Sequence, residues 1–409
     1  METIPAGKSS RNVYLLMASQ ACFLASSMSI VTFSGLAGKL LSGNPAYATL
    51  ATSLAIISTA LSTGPMSILM QHTSRRFGFR LGALFGISGG LMGAFSLYSE
   101  SFILLCTATL LLGPFQASAQ YYRFAAAESV PAREAPKALS MVLVGGIFAA
   151  LVVPTLTGWL NNAFSAHPFM GAFLFIAIVT ALVLLPLSFL KPLAKPVKPA
   201  QTQTSEEGKA PADARPLREI IATPRFLVAV LNGGLAYAMM SFVMTATPLA
   251  VEICGYDSTA GAYIIQGHVI AMFLPSLFTG TLISRFGVLP VLLAGHALFA
   301  SAFLTALSGI AIWQFSVSLI ALGVGWNFCF VGASSLITQV HRESEKGKVQ
   351  GLNEFIVFGM AGTASFAAGV ILQNFGWTMV NQAAFVMLLV ASGATMLWGI
   401  SGAHRNAAG

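Results

Sequence analysis

The 409-residue chain is 56% hydrophobic and 8% charged, with a mean hydropathy of +0.78. A soluble domain carries about a quarter charged residues, so an ordinary soluble fold is excluded. The formal charge of +8 needs no nucleic-acid partner, because basic residues gather in the cytoplasmic loops of membrane proteins.

Apolar runs of about twenty residues recur along the chain, each long enough to cross the hydrocarbon core as a helix. The short alternating segments of a transmembrane barrel are missing. The fold class expected is therefore an all-α polytopic membrane protein. After a short polar start bearing Lys8 and Arg11, the run from Val13 to Leu36 is too long for the apolar part of a signal peptide and reads as an uncleaved first helix. In chain order the spans read 13–36, 46–70, 79–99, 101–127, 138–162 and 168–190, then 226–250, 258–283, 288–308, 311–339, 349–373 and 379–400. That makes twelve transmembrane helices, six on each side of the stretch from Lys191 to Pro224.

That central stretch is rich in Pro, Lys, Ala and acids and nearly devoid of apolar residues before Ile220. Such a composition buries too little surface to offset chain entropy, which predicts a solvated linker between two bundles, 1–190 and 225–409. Cys22, Cys106, Cys254 and Cys329 show no metal-ligand or redox spacing and read as small apolar residues. No cofactor is expected.

Placing both termini in the cytoplasm puts Lys8, Arg11, Arg75, Arg76, Arg80, Arg133, Lys137, the linker cluster, Arg285, Arg342, Lys346, Lys348 and Arg405 there as well. The opposite side receives Lys39 with Glu100, Glu252 and Asp257. This asymmetry sets the expected orientation, and the membrane expected is a bacterial inner membrane.

The two halves also repeat. Arg76-Phe77-Gly78 and Arg285-Phe286-Gly287 lie 209 residues apart, each at the end of an even-numbered span. Gln116 and Asn327, Lys137 and Lys348, and Gly158 and Gly369 are each separated by 211. Four coincidences at nearly one offset indicate duplication, and parallel six-helix repeats describe a known transporter architecture.

With its two six-span halves and Gly280-x-Leu282-x-x-Arg285-x-Gly287 between spans eight and nine, the chain resembles the major facilitator superfamily over its whole length. The match in motifs is partial. Gln71 and Arg75 stand where the family usually has Gly and an acid, and Thr109 replaces an Arg four residues before Gly113. The fifth span keeps only Gly146, Pro154 and Gly158 of the antiporter motif. The resemblance implies two pseudo-symmetric bundles, with spans one, four, seven and ten lining a central cavity.

Ionisable groups inside spans are costly and default to functional roles. Span four carries Gly113, Gln116, Gln120 and Arg123 at helical spacing, on one face of a regular helix. Read with Trp326 and Asn327, which the resemblance sets opposite Gln116, these residues form the expected substrate site. Arg123 then either grips an anionic group or serves as a gate or anchor at the cytoplasmic end. His268, His296 and Glu354 are the candidates for proton coupling, set against ordinary packing or ion pairing. Glu128, brought near Arg76 by the resemblance, and the Arg285–Gly287 turn are candidates for a latch. GGxxG at Gly89–Gly93 marks close helix packing and gives no evidence of oligomers, so a monomer is expected.

The function expected is secondary transport of a small organic solute by alternating access, with protons as a candidate coupling ion. An uncoupled facilitator or a multidrug-type efflux pump is the alternative. A transporter-like receptor or scaffold lacks the ordered soluble extension it would need. A membrane enzyme lacks a convergent nucleophile, metal set or acid pair, so no enzyme is expected.

Overall fold

The computed structural model describes residues 6–43, 50–164, 166–191 and 215–401. The described residues are helical almost throughout. The first bundle holds α1 (Ala6–Ser42), α2 (Leu50–His72), α3 (Arg75–Tyr98), α4 (Phe102–Glu128), α5 (Ala135–Leu143 continuing as Gly145–Ala163) and α6 (Met170–Phe189). The second holds α7 (Pro224–Ile253), α8 (Ser258–Phe273 continuing as Ser276–Phe286), α9 (Val288–Leu307) and α10 (Ile312–Val340). A last helical stretch, Lys346–Ile400, runs 55 residues and breaks at Gly376 with φ 78°. At 1.5 Å per residue it would be far too long for one crossing. Trp377 packs 5.0 Å from Phe315 at one end of α10, whereas Thr395 bonds Asn232 near the start of α7. The chain therefore reverses at Gly376, giving α11 (346–375) and α12 (377–400).

Twelve passes follow among the described residues, in agreement with the spans expected from the sequence. Asn12 at the start of α1 and Lys191 just past α6 bond each other, Lys191 N to Asn12 Oδ1 at 3.1 Å. Their end of the bundle, where α1 begins and α12 finishes, is the termini end.

Without a hydrophobic driving force in lipid, helices associate through close packing and small residues. The glycines of α3 serve this purpose. A Cβ on Gly90 would sit 2.6 Å from the Ala177 amide nitrogen, so α3 and α6 meet backbone to backbone.

Most of the linker expected at 191–224 falls outside the described residues, but its last part is ordered. Leu217–Ile221 forms a short helix with Ile220 buried. Arg215 is fixed to Glu345, Nη2 to Oε2 at 2.7 Å and Nε to Oε1 at 2.9 Å, and its Nη2 also donates to the Val340 carbonyl at 2.9 Å. These bonds hold the Glu345 carboxyl down at about 2. The composition reading missed this because one Arg–carboxylate fork outweighs the polarity of its neighbours.

The internal repeat is visible in the contacts between bundles. Ser140 on α5 donates to the Ser276 carbonyl on α8 at 2.5 Å, and a Cβ on Gly351 of α11 would lie 3.3 Å from Ser67 of α2. Ser67 and Ser276 are 209 residues apart, and Ser140 and Gly351 are 211 apart. The same joint is thus built twice, α2 against α11 and α5 against α8, towards the termini end.

Candidate functional site

A polar cluster joins the two bundles at the termini end. Ser74 caps α3, accepting from the Phe77 amide, so Arg75 is the first helical residue and points inward, buried. Its Nη2 donates to Glu128 Oε1 at 2.6 Å and to Gln350 Oε1 at 2.5 Å. Glu128 also takes Lys346 Nζ at 3.5 Å, and Gln71 Nε2 donates to the Ser344 carbonyl at 2.6 Å. Lys346 is further paired with Glu343. Cations from both bundles thus share Glu128. The sequence reading placed Arg76 in this latch. Adjacent residues on a helix point about 100° apart, and Arg76 instead donates to the Ser188 carbonyl of α6 at 2.5 Å.

His341 belongs to the same cluster. Its Nδ1 lies 3.2 Å from the Arg342 carbonyl, which can only accept, so Nδ1 carries the proton and Nε2 accepts from Gln350 Nε2 at 3.2 Å. Burial pushes the imidazole below its usual range, Arg75 and Lys346 push it further down, and Glu128 and the Arg342 carbonyl pull it up. A protonated ring would aim a donor at the Gln350 amide, and turning that amide would take its oxygen from Arg75. Because the pKa is lowered in the closed state, the contact is fully present above the ordinary histidine value of about 6.5 and is lost as pH falls below it. Spin labels at Thr73 and Lys348 should report a wider distance distribution at pH 5 than at pH 7.5, and His341→Gln should remove the difference. A distribution that ignores pH in the unmutated chain would refute this role.

Deeper in the membrane, α4 is interrupted. Its first part ends at Ala119 and helix resumes at Tyr122, with Gln120 and Tyr121 still right-handed in backbone, and Arg123 follows one residue later. Arg123 Nη2 lies 2.6 Å from Glu354 Oε1, with side chains 4% and 0% exposed. Its Nε donates to Ser334 Oγ at 3.1 Å, and its Nη1 donates to the Gln120 carbonyl at 3.0 Å. The guanidinium carbon lies 4.4 Å from the Phe330 ring centre and 4.6 Å from that of Phe124. Arg123 and Ser334 are 211 residues apart, so equivalent positions of the two repeats meet here.

One turn further in lies a box of rings. Tyr237 of α7 packs edge-on to Trp326 and Phe330 of α10, each with centres 5.6 Å apart, and 5.2 Å from Phe358 of α11. Trp326 and Phe330 stack at 4.7 Å and 16°. Phe273 of α8 closes one side, 5.9 Å from Trp326, where Gly146 of α5 leaves room for its ring. Trp326 Nε1 and Glu354 Oε2 are both buried and find no hydrogen-bond partner among the described residues. These rings cover one another's faces and edges.

The model of the Major Facilitator Superfamily matches residues 15–275, well over half the chain. The chain belongs to the Major Facilitator Superfamily. Within it, the chain is 39% identical to the riboflavin transporter RfnT of Brucella anthropi over 375 residues, 92% of each protein. It is 25% identical to the purine ribonucleoside efflux pump NepI of Salmonella typhimurium over 325 residues, 75% of this chain and 73% of the pump. Among solved structures, the human organic anion transporter MFSD10 superposes with a TM-score of 0.73 at 14% identity, covering 96% of this chain and 100% of that one. This Major Facilitator Superfamily chain is thus a membrane transporter and not an enzyme.

The remaining expected residues divide. Gln120 is half-buried beside Arg123, and Gln116 is buried one turn away on α4. Asn327 does not face Gln116 as a free donor. Its amide nitrogen donates to the Met272 carbonyl at 2.7 Å and to Ser276 Oγ at 2.6 Å, and its oxygen accepts from Thr279 at 2.7 Å. It ties α8 to α10. His268 spends Nδ1 on the Leu319 carbonyl at 2.7 Å, and His296 sits against Asn232 at 2.9 Å, both enclosed by the second bundle. Arg285 is exposed over Phe286, and Gly287 takes φ 85° in the turn from α8 to α9. Sequence reasoning missed Tyr237, Phe330, Phe358, Arg75 and Gln350. The spacing of Trp326 and Phe330 by four residues was the one legible signal for the box.

Proposed function

We propose that this chain carries flat heteroaromatic solutes, riboflavin first among them, across a bacterial inner membrane by alternating access. In this reading the bundles 1–190 and 225–409 rock against each other about the 191–224 linker, with the termini end in the cytoplasm. The single observation that carries it is the ring box of Tyr237, Trp326, Phe330 and Phe358 beside the buried Arg123–Glu354 pair that joins the bundles. Its chemistry fits a tricyclic ring system, and similarity to the riboflavin transporter points the same way. In this reading Gln120, beside Arg123, meets the hydroxyls of the ribityl chain. Arg123 binds no anion in this reading, since Glu354 already matches its charge. When the bundles part at this level, Glu354 needs a new partner, either a proton or a hydrogen-bond donor of the solute. His268 and His296 take no part in coupling.

Purified chain in proteoliposomes loaded with unlabelled riboflavin should show saturable counterflow of labelled riboflavin. Trp326→Ala should reduce it by roughly two- to tenfold, in line with the value of aromatic stacking. Correctly inserted protein with no riboflavin counterflow would rule this substrate out.

A further inference from the structure

Resting on the reading just given, we infer that the Arg123–Glu354 pair is the docking point for the imide edge of the solute, which inserts between the two charges. Three observations converge on it. The pair crosses between bundles, α4 to α11, and both side chains are buried. Among the described residues Glu354 Oε2 stands without a partner, while Oε1 already takes Arg123 at 2.6 Å and the Asn353 amide at 2.7 Å. The guanidinium lies over the Phe330 ring, and Phe330 is itself stacked on Trp326, so the pair borders the ring box directly.

The chemistry is complementary. A guanidinium offers only donors and a carboxylate only acceptors. An imide presents a carbonyl, an N–H and a second carbonyl along one edge. One carbonyl accepts from Arg123 while the N–H donates to Glu354. Opening the termini end must separate α4 from α11 and would strand two buried charges. An imide arriving at that moment gives each of them a partner, so opening is favoured when solute is bound. Specificity follows as well, because a buried site built to hydrogen-bond an N–H rejects an analogue that lacks it. The substrate class is then neutral, flat and imide-bearing.

The test compares riboflavin with riboflavin methylated on the imide nitrogen, by quenching of flavin fluorescence on the full chain in nanodiscs. The unmutated chain should bind the methylated compound about 100-fold more weakly. The double variant Arg123→Met/Glu354→Leu, which leaves no charge stranded, should bind both compounds weakly and equally. Riboflavin affinity should be the same at pH 6 and pH 8. Equal binding of the two compounds by the unmutated chain overturns the inference, as does a methyl penalty that survives in the double variant. Tighter binding of both compounds in acid assigns Glu354 to a proton and also overturns it. Absence of any riboflavin binding would instead bring down the substrate reading beneath it.

Discussion

Removing one member of the Arg123–Glu354 pair is expected to destabilise the chain severely, while removing both restores the fold without restoring transport. The pair is almost wholly buried, and Arg123 is further held by Ser334, the Gln120 carbonyl and two phenylalanine rings. Breaking a buried pair from one side leaves an uncompensated charge and costs about 3–5 kcal/mol, whereas replacing both partners by apolar groups of similar size is often neutral or stabilising. Thermal unfolding in nanodiscs should therefore place Arg123→Met and Glu354→Leu well below the unmutated chain, and the double variant close to it. Counterflow should be lost in all three, because the bundles no longer share a group that must change partner. A double variant whose loss equals the sum of the two single losses would show that the residues act independently.

The fold was largely readable because lipid imposes one rule on every span, about twenty apolar residues with all backbone groups satisfied internally. Even the last two helices, continuous except at Gly376, separate correctly on length. The site was readable only in part. Gln120 and Arg123 do share a face, as their spacing predicts, but that spacing says nothing of the reach of Arg123 to α11. Its partner Glu354 lies 231 residues away, and no local pattern encodes a contact at that distance. Asn327 shows the opposite error. A polar residue inside a span invites a functional role, yet this one is fully occupied in joining α8 to α10. The Arg75–Glu128 contact was missed by one residue, since the duplicated Arg-Phe-Gly drew attention to Arg76.

Valine in place of Gly280 is expected to force the termini end open. A Cβ at this position would lie 2.4 Å from the Pro136 carbonyl oxygen and 2.6 Å from the Lys137 Cα. Both are backbone atoms of the other bundle, so no rotamer change can relieve the clash, and α5 and α8 must move apart. The repeat shows why this glycine is where it is. Gly280 corresponds to Gln71 at the offset of 209, and Pro136 to Gly347 at 211. At the α2–α11 joint the bulky residue is Gln71, and Gly347 makes room, since a Cβ there would lie 2.0 Å from the Gln71 amide oxygen. At the α5–α8 joint the sizes are exchanged, with Gly280 yielding to Pro136. Each joint has one small and one large residue, and enlarging the small one breaks the fit. Overpacking costs about 1–3 kcal/mol, which shifts the closed-to-open ratio by roughly 5- to 150-fold. Cysteine pairs across the joint should cross-link less in Gly280→Val than in the unmutated chain, and counterflow should fall. Gly359→Ala is the control, because nothing lies within 4 Å of a Cβ at that position. Equal cross-linking in Gly280→Val and the unmutated chain would mean that the α5–α8 contact does not govern closure.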